Sequence, residues 1–475
     1  MASVDVTVRG GGIFGLSIAW ACLKRGATVR VIESVALGAG SSGGLVGALS
    51  PHVPEAWNAK KAFQLESLLM AADWWGAVEA AAGLPSGYAR LGRLQPLADD
   101  RAVETARRRE DEATNLWQGR AVWRVIRATG GEWEPHTETG WLVEDTLSAR
   151  LSPRMGLAAL VAALRAGGAD VVLGAGEEAG AVVHATGVAG LEDLSRVFGT
   201  PLGSGVKGQA LSLRFEARDR PQLFVDGLHI VPHADGTVAI GSTSEAAWTE
   251  DGPDAQLDGL LAKAIAAVPA LAGAEVLTRW AGVRPKAASR APLLGAWPGR
   301  AEHFVANGGF KIGFGMAPKV AEVMADLVLE GREEGMPPEF RLEALLQKAT
   351  ARREVIEVGR SNPSCAVRPT SRKPIARKAV WLSTSSTRVC NSSAGRPIAR
   401  ARASAWSISR LASPSPRWLA ATASLPIYSD SGFGVRNTQA TGAPIIQISP
   451  TSACRVSASG VRSRSEDGGS IRPSI

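Results

Sequence analysis

The stretch VTVRGGGIFGLSIAW (residues 6–20) decides the fold. An alternating apolar run enters three consecutive glycines and leaves at once as an apolar helical pattern. Glycines at a strand-to-helix turn mean that something approaches the backbone closely. Gly10, Gly12 and Gly15 fit the spacing G-x-G-x-x-G. The first permits a tight turn, the second lets a pyrophosphate reach the backbone, and the third lets the helix pack on the strand. A helix opening with Ile13 and Phe14 then aims its free N–H groups at the phosphates. Residues 4–9, 13–25 and 28–33 thus read as strand, helix and strand, a βαβ unit. Glu33 ends the second strand, where a carboxylate accepts ribose hydroxyls and disfavours a 2′-phosphate. A dinucleotide of the NAD or FAD kind is therefore expected.

The chain has 475 residues, 45% of them hydrophobic and 21% charged, which suits two or three domains with a sizeable core. No apolar run reaches the roughly 18 residues of a membrane span. The opening MASVDVTV starts directly as a strand, not as a secretory leader. The expectation is a cytoplasmic protein without an integral membrane segment. Four cysteines show neither disulfide nor zinc spacing, and six histidines are scattered, so no metal site is expected.

The net charge of +8 is unevenly spread. After residue 349 there are 19 Lys+Arg against 5 Asp+Glu, which leaves 34 against 40 before it. The body is acidic, and no specific nucleic-acid partner is expected of it. Residues 350–475 are dominated by serine, arginine, alanine and proline, with no sustained period of 2 or 3.6. Such a basic tail cannot bury enough apolar surface to order itself. It reads either as a charge-driven binding tail or as an out-of-frame extension of a GC-rich gene. The lack of repeats, stacking aromatics or an amphipathic helix favours the second.

Within the body, helices are expected at 61–83, around 102–113, and at 152–168, 256–271 and 316–331. Short strands bounded by glycine lie at 169–174 and 179–187, and alternating strands run through 208–245 with HADG (233–236) as a hairpin turn. The order suggests an α/β protein. A discontinuous Rossmann-like dinucleotide domain (1–87, 146–205, 279–345) carries an inserted antiparallel β substrate domain (88–145, 206–278).

Further stretches choose the cofactor. In GAGSSGGLVGALSPH (38–52), Ser41 and Ser42 are placed to contact a diphosphate, and Gly43 and Gly44 let a flavin approach. HATG (184–187) supplies a turn at Thr186 and Gly187 after an apolar strand. GGFKIGFGMAP (308–318) brings Gly308, Gly309, Phe310, Lys311 and Gly313 ahead of a helix. That helix N-terminus is suited to stabilise negative charge on a reduced ring. With VKGQALSL, VPHADGTVAIGSTSE and GVRPKAASRAPLLG between them, these motifs resemble the D-amino-acid oxidase superfamily of FAD enzymes over residues 4 to 332. Glycine oxidase, sarcosine oxidase and D-amino-acid dehydrogenase are the most similar in look.

That resemblance implies FAD, and noncovalent FAD, since no cysteine between 23 and 364 can attach it. It implies oxidation of the C–N bond of a small amino acid or N-methyl amino acid by hydride transfer to flavin N5. Oxygen or another acceptor would take the electrons. Arg284 in GVRP matches the family's carboxylate-binding arginine, and Lys311 resembles the substrate lysine of sarcosine oxidases. His229 stands in LHIVP where several glycine-oxidase-like proteins carry tyrosine. It either hydrogen-bonds substrate, acts as a base near neutral pH, or is satisfied within the sheet. Two other readings stand beside this one: action on a larger amine such as a modified nucleoside, and an inactive product of a gene frameshifted near residue 350.

Overall fold

The structure, a computed structural model, describes residues 3–361, with side chains to 351. The quoted stretch folds as read. β1 (Val6–Arg9), α1 (Ile13–Lys24) and β2 (Val29–Glu33) form a βαβ unit, with Val8 opposite Val31 in parallel register. β3 (Ala48–Leu49) and α2 (Ala59–Ala82) follow. The chain then leaves through β4 (Arg93–Pro96), α3 (Asp100–Trp117), β5 (Trp123–Arg127) and β6 (Trp141–Asp145). It returns through β7 (Ala149–Arg150), α4 (Pro153–Ala166), β8 (Asp170–Leu173), β9 (Ala181–His184) and α5 (Gly187–Val197). A second excursion comprises β10 (Gly203–Arg214), β11 (Gln222–Val225), β12 (Leu228–Pro232), β13 (Thr237–Gly241), α6 (Gln256–Ala267) and β14 (Val276–Ala287). β15 (Leu293–Ala296), β16 (His303–Asn307), α7 (Gly313–Glu330) and α8 (Leu342–Ser361) complete the described chain.

The first sheet runs β15-β16-β9-β1-β2-β8 and is parallel except at β15. Ten consecutive residues of α1, Ile13 to Cys22, are buried, so its sequence is apolar all round instead of striped. The second sheet runs β14-β10-β13-β12-β11-β4-β6-β5. It departs from the expected antiparallel pattern at one pair: β4 lies parallel to β11. These two strands come from different excursions, and the long connection between them permits the crossover. One face of this sheet packs Leu211, Leu223, Ile230 and Ile240 against Leu257 and Ala264 of α6. By the period of two, the other face carries Arg284, Gly208, Gly241, His229, Phe224 and Arg93. Leu45 and Val46, from the loop after β2, cover its centre against Ala210, Ala239 and Trp280.

Two boundaries differ from the sequence reading. β10 and β14 pair from Gly203 opposite Ala287 to Leu213 opposite Val276, so divisions at 205 and 278 fall inside one ladder. α8 runs past 350 to Ser361, because LEALLQKATARREVIEVGRS is rich in straight-chain helix formers and lacks proline. The remainder of the expected tail, 362–475, lies outside the described residues. Among the described residues no helix is long and apolar enough to cross a membrane.

Candidate cofactor and substrate site

Four sequence-distant segments converge at the N-terminal end of α1. Gly10 has φ +112°, and a Cβ there would sit 2.4 Å from the Ala185 carbonyl oxygen. A Cβ at Gly15 would lie 2.0 Å from the Gly10 oxygen. Both positions exclude any side chain. Gly12 is different. Its backbone is extended, and a Cβ there would meet only the Ser42 side chain, with Oγ at 3.2 Å. The open space beside Gly12 is the kind of cradle a pyrophosphate needs. Ser42 Oγ accepts a hydrogen bond from Ile13 N at 3.0 Å and so caps α1 from the second loop.

The neighbouring groups complete this end. The Glu33 carboxylate accepts from Gly11 N (2.7 Å) and Val35 N (2.9 Å), and each oxygen keeps a further acceptor position for a hydroxyl. Ser41–Gly43 form one turn of 3₁₀ helix, and Gly44 lies against the Trp280 ring, where a Cβ would approach to 3.1 Å. Gly309 packs against the Phe14 ring, with a Cβ contact at 3.0 Å, and Gly313 opens α7 against Ile13. Thr186 and Gly187 begin α5, with Gly187 at φ +60°. Asn307, which sequence reasoning missed, ties the two turns together. Its side-chain amide donates to the Gly187 carbonyl (2.8 Å), and its carbonyl accepts from Gly308 N (2.7 Å).

The inner face of the second sheet meets this end at Phe310. Phe310 has φ +46°, and its N–H is held by the Pro285 carbonyl at 3.1 Å. Three cations surround its ring, with Arg284 Cζ at 5.5 Å, Lys311 Nζ at 5.8 Å and Lys286 Nζ at 5.9 Å from the centroid. Arg284 is buried over Gly208, where a Cβ would fall 2.3 Å from Nη2. Its Nη1 donates to Ser242 Oγ (2.9 Å), and its Nη2 donates to the carbonyls of Thr243 (2.7 Å) and Lys207 (3.2 Å). Both Nη2 hydrogens are therefore committed. The two-bond fork expected for a carboxylate is not free, whereas the buried Nε–H has no partner among the described residues. Burial pushes the Arg284 pKa down to about 10, with Glu245 acting against the shift, so it stays charged at neutral pH.

His229 lies on the same face, its ring 4.7 Å from that of Phe224, and its buried Nδ1 has no partner among the described residues. Burial first, then the charges of Arg93 and Lys311, push its pKa down to about 3. A neutral imidazole with Arg93 and Lys311 nearby is a weak proton acceptor, which favours the hydrogen-bonding alternative for His229 over the base. Partial burial of its ammonium, with Arg284 nearby, lowers the pKa of Lys311 as well. The three residues singled out in the sequence are therefore gathered in one electropositive region. Among the described residues no group of three or more His, Cys, Asp or Glu side chains is placed to hold a metal.

Comparison with known proteins agrees with this architecture. The family model described as FAD dependent oxidoreductase, DAO, matches residues 5–327. The bifunctional protein ThiO/ThiG of Trichormus variabilis is 27% identical over 377 residues, covering 73% of this chain and 56% of that protein. The chain thus spans just over half the length of that bifunctional relative. The glycine oxidase of Bacillus licheniformis is 27% identical over 359 residues, covering 68% of this chain and 93% of that protein. The crystal structure of glycine oxidase from Geobacillus kaustophilus superposes with a TM-score of 0.63 at 23% identity, covering 72% of this chain and 99% of that one, and shares the fold. A glycine-loop βαβ unit, an inserted sheet on its discontinuous α/β domain and a family match over two-thirds of the sequence agree: the chain belongs to the DAO family of FAD-dependent oxidoreductases.

Proposed function

We infer that this chain oxidises the C–N bond of a small amino acid or N-methyl amino acid. The observation that carries the reading is the group of Arg284, Lys286 and Lys311 around Phe310, beside the Gly308–Gly309 turn. Gly10, Gly12, Ile13, Phe14, Gly15 and Glu33 would hold the adenosine diphosphate half of FAD. Ser41 to Gly44, Thr186, Gly187 and Gly308 to Gly313 would surround its remainder. When bound, FAD supplies the acceptor for the hydride that leaves the carbon bearing nitrogen.

The chain's own residues bind and orient. Lys311 draws in a carboxylate, with the Arg284 charge beside the same Phe310 ring adding to the attraction, since charge-assisted bonds in a desolvated site are strong. The same cations disfavour a second positive charge beside them, so they lower the pKa of a substrate ammonium and promote the free amine that oxidation requires. This removes the need for a dedicated base, in keeping with the weak basicity of His229. His229 is left to hydrogen-bond substrate as a neutral ring. The relatives named as glycine oxidases point to the same substrate class.

The test is anaerobic mixing of the purified flavoprotein with glycine, sarcosine, both enantiomers of the common amino acids and simple amines, followed by air. Bleaching of the flavin by at least one amino acid, with colour restored in air or by an added dye, is expected. Bleaching by amines lacking a carboxylate, and by no amino acid, would overturn the reading.

A further inference from the structure

Arg93 is a buried cation that the oxidation chemistry above does not use. Its side chain is 6% exposed, and that of its partner Asp145 is fully buried. Asp145 is well satisfied: it accepts from Arg93 Nε at 2.8 Å, from Ser148 N at 2.7 Å and from Ser148 Oγ at 3.0 Å. Arg93 is not. It donates through Nε alone, and neither Nη group has a hydrogen-bond partner among the described residues. A buried arginine normally commits its planar fork to two parallel bonds. The small exposed part of the side chain falls on these Nη groups, since neither is fully enclosed, so four N–H donors stay open to water or to an anion on this face.

The location gives that anion a source. Arg93 is register partner of Gln222 on β11, and Phe224, two residues on, is register partner of His229. All four side chains therefore belong to the inner face that also carries Arg284. The Arg93 Cζ lies 5.7 Å from the Phe224 ring, which is itself 4.7 Å from His229 with its unpartnered Nδ1. Between His229 and Arg284 lie Gly241, over which Val46 packs, and Gly208, over which the Arg284 guanidinium lies. Four cations, Arg93, Arg284, Lys286 and Lys311, thus share this face with two nearby carboxylates. Asp145 is taken by Arg93, and Glu245 is held by Thr243 and Gln209. One substrate carboxylate leaves this region positive.

We propose that Arg93 and His229 form a second anion subsite on the inner face, so that the preferred substrate is an amino acid or N-substituted glycine bearing a second carboxylate. The substrate assignment rests on the amine-oxidation reading above; the anion subsite does not.

Two measurements test it on the holoprotein. The first titrates flavin absorbance with unreactive acids: malonate, succinate and glutarate against acetate, propionate and butyrate. The second compares anaerobic flavin reduction by aspartate, glutamate and iminodiacetate with reduction by asparagine, glutamine and glycine. At least about tenfold preference for the second carboxylate is expected, the effect of one charge-assisted contact. The paired variant Arg93→Met with Asp145→Asn strands no buried charge. It should erase the preference while leaving monocarboxylate binding within about twofold, and Arg93→Lys should retain part of it. Equal affinity for both acid classes in the wild type would overturn the subsite. So would a paired variant that keeps the preference, or one that weakens both classes alike. Dicarboxylate binding that depends on Arg93, without flavin reduction by any amino acid, would support the subsite and count against the oxidation reading instead.

Discussion

Removing Arg284 tests whether it is pinned by the protein before any substrate arrives. Its guanidinium makes three bonds, to Ser242 Oγ and to the carbonyls of Thr243 and Lys207. The Lys207 carbonyl also accepts from Glu245 N at 2.9 Å and survives the loss. Among the described residues no other bond to the Thr243 carbonyl accompanies that from Arg284, so Arg284→Ala leaves this part-buried acceptor unpaired. An unsatisfied buried acceptor costs about 1–3 kcal/mol, and each hydrogen bond to a charged group contributes about 1.5–3 kcal/mol. These contributions are not additive, and a total near 3–4 kcal/mol is expected for alanine. Arg284→Lys keeps the charge and reaches one or two of the acceptors, for a loss of about 1–2 kcal/mol. Thermal unfolding of the flavin-loaded protein should therefore fall by roughly 5–10 °C for alanine and half that for lysine. Reduction by an amino acid should slow in both, beyond any loss seen with an amine analogue lacking the carboxylate. A melting temperature for Arg284→Ala within about 1 °C of wild type would refute the pinned geometry. Equal slowing of acid and analogue would refute the carboxylate role and leave Lys311 as the anchor.

Three further outcomes follow from the same coordinates. Gly15→Ala should lose both the folded monomer and its flavin, because its Cβ would lie 2.0 Å from a backbone oxygen, whereas Gly12→Ala meets only the Ser42 hydroxyl at 3.2 Å and should stay folded but lose flavin, its methyl occupying the phosphate cradle; gel filtration with flavin absorbance decides, and full flavin occupancy in Gly12→Ala would sink the cradle reading. Glu33→Gln leaves one carbonyl oxygen where two carboxylate oxygens now serve Gly11 N and Val35 N, and FAD should bind about tenfold more weakly by fluorescence titration. The pKa values of His184 and His229 are depressed to about 4 and about 3, chiefly by burial, so the unfolded chain binds more protons below about 6.5. Their contribution to stability is complete above that pH and is lost as pH falls toward those values; the melting temperature should drop between pH 7 and pH 5, and less steeply in His229→Gln.

The glycines were legible because their demand is local. Gly15 is opposed by the Gly10 oxygen inside the βαβ unit, and Gly10 needs its positive φ for the tight turn, although the Ala185 oxygen that also opposes it comes from the end of β9. Strand alternation likewise placed His229 and Arg284 on a sheet without help from the fold. What surrounds them was not legible. Two of the three acceptors that hold Arg284 are main-chain carbonyls, which every residue carries and which leave no mark in a sequence. The low proton affinity of His229 comes first from burial and then from Arg93 of the first excursion and Lys311 of the last segment, neither of which is near it in the sequence. Asn307 was visible as a residue but not as a tie, since its second partner, Gly187, is 120 positions away. The tail boundary failed for another reason: helix formers in 342–361 carry no strong apolar stripe, so propensity there outran periodicity.

The inner face holds its positive charge through a lattice behind it. Lys207, almost fully buried, donates to the Glu250 carbonyl at 2.7 Å, and its Nζ lies 3.9 Å from Glu245 and 3.5 Å from Asp254. Gln209 bridges Glu245 and Asp254 and accepts from Asp254 N at 2.8 Å. This lattice fixes Glu245 close enough to favour the charged form of Arg284, yet spends its Oε1 on Thr243 and Gln209 and turns its Oε2 toward Lys207. Arg284 therefore keeps its charge in a desolvated place without surrendering Nε to a neighbouring carboxylate. A cation partly satisfied by neutral carbonyls attracts an incoming anion more strongly than one already neutralised by an acid. The network of Lys207, Gln209 and Glu245 is thus what makes the face receptive, although none of the three carries a substrate-facing role itself.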